Sequence, residues 1–259
     1  MATITSLACG PQATNQGNTG QTLLINGTAL TGATAAKIGT RTVSVTVNGG
    51  GTQATCTVPS GCGVQNVTIT ATSGTSNARP FYYISPPNLS GIDPVEGSAA
   101  TPAPIAISGD SLLTTNQVSI NGDPTTAPPT VSSDNLVTAT ADVGAITPVG
   151  ANPWFQSVDV SVRTAGGTAT LADAFLAYDT PVVTTLTPDT GPAGTEVVID
   201  GQAFVSDSIQ VTFDGVQADL TALSDVQLLA TAPTGPTGAV DVVVTTPGGS
   251  SAAVTFTYV

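Results

Sequence analysis

Val182–Leu186, then Pro188-Asp-Thr-Gly-Pro-Ala-Gly194, Glu196-Val-Val-Ile-Asp-Gly201, Phe204, Phe213-Asp-Gly215, Val240-Asp-Val-Val-Val-Thr-Thr-Pro-Gly-Gly249 and Phe256-Thr-Tyr258 spell out the last third of this chain. Val240, Val242 and Val244 alternate with Asp241, Val243 and Thr245, a period of two that turns one side of a strand to a core. Strands are expected near 182–186, 196–200, 209–213, 216–221, 226–231, 239–246 and 251–258. Gly201 after Ile199 reads as a turn that ends a strand, and Gly248-Gly249 after Pro247 as the positive φ of a tight hairpin. No helix follows these glycines to supply an anion-binding N-terminus, so they are punctuation rather than a phosphate loop.

The same sentence occurs twice more. The middle third gives SGIDPVEGS (90–98), Ile105-Ala-Ile-Ser-Gly109, Leu112, VSINGD (118–123), SVDVSVRTAGG (157–167) and Ala177-Tyr178. A worn copy opens the chain: ITSL (4–7), Leu23-Leu-Ile-Asn-Gly27, Leu30, VTITATSG (67–74) and Phe81-Tyr-Tyr83. A unit of about 80 to 95 residues with alternating strands and Gly/Pro turns is the size of a β-sandwich. The expected class is therefore all-β, with three tandem immunoglobulin-like sandwiches over residues 1–84, 85–179 and 180–259. The joints hold Pro86-Pro87 and Pro181, which predicts a semi-stiff rod.

Composition agrees. The chain is 40% apolar and only 8% charged, which places it among folded proteins. Its abundance of Thr, Val, Ser, Gly and Pro favours strands and tight turns. No run approaches the roughly 20 apolar residues of a membrane span, and Met1 leads straight into a strand with no hydrophobic leader. Charge is divided sharply. Residues 1–92 hold Lys37, Arg41 and Arg79 without one acid, a charge of +3, while all 17 acids follow with only Arg163, a charge of −16. That division is either drift in surface composition or the mark of a first domain that sits against an acidic partner.

The third unit resembles the IPT/TIG immunoglobulin-like domains almost throughout: the P-x-x-G turn (Pro188 to Gly191), I-x-G-x-x-F (Ile199 to Phe204), VTFDG, the VDVVVTTPGG hairpin and the closing F-T-Y. The second unit shares the pattern but departs over 141–158, where GAITPVGANPWFQS replaces TGPTGA. The first has Cys9-Gly10 at the proline turn and a single glycine, Gly74, at its last hairpin. The resemblance implies the fold; such sandwiches are reused for many purposes. Members occur in receptor ectodomains, DNA-binding transcription factors, starch-converting enzymes, and bacterial surface and phage virion proteins.

The chain contains no histidine, which excludes His-based triads and His metal sites. No catalytic residue, metal or cofactor is expected. Asp200, Asp207 and Asp214 stand at loop ends and read as solvated surface acids. A calcium loop of the D-x-[DN]-x-[DN]-G kind is missing. Four cations against 17 acids are repelled by phosphates, so nucleic acid is not an expected partner. Cys56 and Cys62 bracket the turn-like TVPSG, where a disulfide would close the loop and leave Cys9 over; free thiols fit the odd count equally well. Trp154 and Phe155, in the long middle loop, either plug the open end of their domain or grip a sugar or protein partner.

The resulting expectation is a non-enzymatic structural or interaction protein, present in several copies per assembly. One form of it is a phage virion component, a head decoration fibre or tail appendage, made in the host cytoplasm and docking to shell or tail proteins through residues 1–84 with Lys37, Arg41 and Arg79 as contacts. The other is a secreted or cell-surface adhesin or polysaccharide-binding module.

Overall fold

The structure, a computed structural model, describes residues 1–10, 13–144 and 154–259, and within them it contains strands and turns but no helix. In the third repeat one sheet runs Val182–Thr187, Glu196–Gln202, Gln227–Thr231, Asp219–Ser224 in spatial order. The facing sheet runs Thr190–Gly191, Val254–Tyr258, Gly238–Thr246, Gln210–Phe213, Val216–Gln217. Neighbours are antiparallel, except that Thr190–Gly191 runs parallel to the last strand. The second repeat keeps this order with Asn88–Asp93, Ala103–Asp110, Leu136–Ala141 and Thr130–Ser133 facing Glu96–Ser98, Gly167–Tyr178, Phe155–Thr164 and Gln117–Ile120. The first does so with Thr3–Cys9, Thr22–Thr28, Gln53–Thr57 and Thr46–Val47 facing Gln16–Gly17, Arg79–Tyr83, Val64–Ala71, Ala35–Ile38 and Arg41–Ser44.

Each sandwich has its own core. Leu23, Ile25, Ile69 and Phe81 belong to the first, Ile105, Ile107, Val160, Val162 and Phe175 to the second, and Ile199, Val211, Phe213, Val242, Val244 and Phe256 to the third. The alternation read from the sequence holds: Val240, Val242 and Val244 are buried while Asp241 between them is exposed. Phe213 and Phe256 meet edge to face, with centroids 5.3 Å apart, the arrangement that ring quadrupoles favour.

Two local expectations are corrected. Gly201 does not end its strand, which continues to Gln202; a Cβ there would overlap the Val182 carbonyl, so glycine is needed for the close approach of the first strand at its bulge. The positive φ lies two residues on, at Ala203 (59°), as at Ala29 (55°) and Ser111 (60°) in the other repeats. The segment 141–158 is not a loop along its whole length: the returning strand begins at Phe155, which pairs with Tyr178. Residues 145–153 of that segment lie outside those described.

Ile199 is wholly buried. Ile199→Ala should cost about 2–5 kcal/mol through lost burial and a residual cavity. Amide exchange should show faster opening of Glu196–Gln202 and Gly238–Thr246, with Leu23–Ile25 and Ile105–Ile107 unchanged, because each core is separate.

Candidate functional site

The most distinctive surface arises from a one-residue displacement. In the first and third sandwiches the last strand carries F-x-Y, Phe81-Tyr-Tyr83 and Phe256-Thr-Tyr258. Both residues turn inward, and the phenol donates to a proline carbonyl of its own unit: Tyr83 Oη to Pro59 O at 2.8 Å, Tyr258 Oη to Pro233 O at 2.6 Å. Gly61 and Gly235 make room, since a Cβ on either would overlap the tyrosine ring. In the second sandwich Val158 pairs with Phe175 as Val240 pairs with Phe256, which puts Ala177 at the tyrosine position. The sequence there reads Phe175-Leu-Ala-Tyr178, and strand register puts Asp142 where the other units have the proline, while Gly144 keeps the glycine. Tyr178 comes one residue later, and in a strand one residue is one face. It therefore leaves the core and stands beside Phe155 on the outer face, with ring centroids 5.8 Å apart.

This aromatic pair lies where the second sandwich meets the third. The Asp179 N–H donates to the Trp154 carbonyl at 2.9 Å, which pins the Trp154-Phe155 step beside the chain's exit from the second unit. Two adjoining recesses of about 410 and 500 Å³ share Phe155, Ser206 and Asp207; Leu223 lines one, Glu96 and Tyr178 the other. Ser206 holds φ at 110°, a conformation costly for a side chain and frequent at functional sites, and it is fixed by hydrogen bonds to Ser208. Ser206 and Glu96 line the same recess as Tyr178. Burial, and after it the Glu96 carboxylate, hold the phenol above its ordinary pKa, so it remains a donor. Burial likewise raises the Asp179 carboxyl. The result is an open groove with an aromatic floor, an exposed Leu223 and a rim of hydroxyls and carboxylates.

The cations of the first unit do not converge. Register places Arg79, Val67, Ile38 and Arg41 in one row across four strands, so the backbones of the two arginines stand at opposite ends of that row, about 14 Å apart. Lys37 is one step along and exposed on the other face. Arg79 is tied to its own unit, Nε donating to the Ile4 carbonyl at 3.2 Å. Arg41 borders a recess of about 310 Å³ with Tyr83, Cys62 and Gln65. The three acids of the third unit are also spread: Asp200 accepts from Gln227 Nε2 at 2.7 Å, Asp207 lies in the groove, and Asp214 sits at φ 49° in the hairpin turn with Gly215.

Of the two cysteine readings the structure takes the free thiols. Cys56 points into the first core and Cys62 is exposed, so their side chains are not joined, and Cys9 is buried as well. Burial pushes the thiols of Cys9 and Cys56 up to about 11.

Comparison with known proteins agrees with this architecture. The model of the IPT/TIG domain matches residues 87–177 and again 181–258, well over half of the chain. The chain belongs to the IPT/TIG domain family. Its first sandwich, outside both matched stretches, repeats their strand order. Among solved structures, the full extracellular region of plexin A4 is 15% identical over 94% of this chain, with a TM-score of 0.45; this chain spans 23% of that one. The protein SGBP-B from a complex xyloglucan utilization locus in Bacteroides uniformis is 16% identical, covering 94% of this chain and 66% of that one, with a TM-score of 0.30. The titin I-band fragment I67–I69 is 11% identical, covering 99% and 97%, with a TM-score of 0.29. No curated protein matches the sequence.

The thiol assignment has a direct readout. A raised pKa keeps a thiol protonated, and unreactive, until the pH climbs toward that value. Near pH 8 a thiol-specific reagent should therefore modify one cysteine rapidly, Cys62, and reach Cys9 and Cys56 only on unfolding. Rapid loss of two thiols from the native protein would contradict the burial of the pair.

Proposed function

We propose that this IPT/TIG chain is a non-catalytic binding module of an extracellular surface, and that it holds a neutral glycan in the groove between its second and third sandwiches. The displaced Tyr178, exported to the outer face against Phe155, carries the reading. Phe155, half-buried and backed by the buried ring of Tyr178, offers contact area at low entropic cost, and the hydroxyl of Ser206 with the carboxylates of Glu96 and Asp207 can pair with sugar hydroxyls. The acids of the rim, in a stretch of net charge −16, disfavour an acidic polymer. The two recesses adjoin through Phe155, Ser206 and Asp207 and are not enclosed, a shape suited to a chain rather than to an enclosed small substrate.

A second reading keeps the first sandwich as an anchor on an acidic protein surface, a virion shell among them. It is favoured by Lys37 and Arg41, both exposed on one hairpin of an acid-free stretch.

Titration against a panel of neutral and acidic glucans tests the first reading. Binding of a neutral member should be insensitive to salt, because no ion pair is involved. Phe155→Ala should weaken it about tenfold or more, a loss of about 1.4 kcal/mol or above, as expected for a central aromatic contact. Lys37→Glu with Arg41→Glu should leave glycan binding unchanged and should abolish salt-dependent capture by an acidic partner if the second reading holds. Wild-type affinity in Phe155→Ala would rule out the groove.

A further inference from the structure

The glycine-glycine turn read from the sequence as a hairpin, Gly248-Gly249, and its counterpart Gly166-Gly167 have a second task. In the third sandwich the strand Gly238–Thr246 turns through Pro247-Gly248 into Gly249–Ser250, and Gly249 alone supplies the positive φ, 120°. Gly248 has no positive φ. A Cβ on it would instead overlap the carbonyl of Asp179, in the linker from the second sandwich, and press on the Cβ of Tyr178. The linker is fastened at the same place by Thr180, whose Oγ1 donates to the Gly248 carbonyl at 3.1 Å. The second sandwich repeats the device: Gly167 has φ 142°, Gly166 has no positive φ, and a Cβ on Gly166 would overlap the carbonyl of Ser85 in the preceding linker. Both turns are stiffened from within by a buried threonine, Thr164 Oγ1 accepting from Gly166 N at 3.1 Å and Thr246 Oγ1 from Gly248 N at 3.2 Å.

The first sandwich provides the internal control. Its turn closes with Ala71 opposite Gly74, as Thr246 lies opposite Gly249, so Ser73 holds the position of Gly248. Ser73 has a Cβ, and its hydroxyl donates to the Ala29 carbonyl at 2.9 Å. The turn itself therefore accepts a side chain. Glycine at 166 and 248 answers to the linker, not to the hairpin.

We propose that Gly166 and Gly248 are positioning residues for the joints: each lets the carbonyl of the preceding linker seat in the hairpin of the next sandwich, and this contact sets the orientation of consecutive sandwiches. The proposal goes beyond the groove reading and needs no ligand. It also makes Gly248 a determinant of the groove's width, because the groove is lined from both sides of that joint. A methyl group at either position forces the linker off its seat, since a backbone carbonyl cannot yield as the end of a flexible side chain can.

The test uses the full chain with Gly166→Ala, Gly248→Ala and, as control, Ser73→Ala, read by small-angle scattering and amide exchange. Both glycine variants should shift the pair-distance distribution of the intact molecule. In Gly248→Ala the Asp179 amide, bonded to Trp154 in the native joint, should lose protection while Glu196–Gln202 and Gly238–Thr246 keep theirs. Ser73→Ala should change neither readout. An unchanged distance distribution with an unchanged Asp179 amide would overturn the proposal. So would loss of protection throughout the third sandwich, because the glycine would then serve that unit's own folding.

Discussion

Burial of one face of each sheet against its partner is the interaction on which everything else in this molecule rests. Phe81, Phe175 and Phe256 have almost no exposed surface, and they sit among β-branched residues of the neighbouring strands. Each such side chain removed from water contributes about 1.5–3 kcal/mol, and the alternation of the strands leaves no other face to supply it. The outer faces are consequently free to vary. The three units differ there and in their loops while keeping one strand order.

Variation on the outer face is what makes the second joint unlike the first. A tyrosine that in the first and third units completes the core, its phenol satisfied by a proline carbonyl, is moved by one residue in the second and meets the next sandwich instead. Its new surroundings are polar and acidic: Glu96, Ser206 and Asp207. Glu96 and Ser206 face the buried tyrosine across the recess they share, one from each side of the joint. The same displacement leaves Phe155 half-buried over the groove, so one change in spacing accounts for both the shared recess and the aromatic floor.

Electrostatics divides the molecule without dictating its fold. The acid-free stretch carries its three cations on different strands, and one of them, Arg79, is occupied by the Ile4 carbonyl. Only Lys37 and Arg41 share a hairpin. A net charge of +3 read from the sequence therefore overstates how much of it a partner could meet at one place, since the cations are spread over separate strands and both faces of the sheet.

The sequence alone was enough for the class, the threefold repeat and the cores, because hydrophobic alternation and turn residues are local signals that the strand geometry obeys directly. The alternating Val240, Val242 and Val244, from which the core face was read, are all buried. The spacing Phe175-Leu-Ala-Tyr178 against Phe256-Thr-Tyr258 is also a property of the sequence, and it is the sign there that points to the groove. The neighbours of Tyr178 are not: Glu96 lies 82 positions before it and Ser206 lies in the following unit, and no local pattern joins residues that meet only across a sheet and a joint. Gly248 and Gly166 had a sufficient local explanation as turn residues, which hid the nonlocal one. Only the tertiary structure decided that a linker carbonyl occupies the space a side chain would need, because steric exclusion depends on which distant backbone is folded against it.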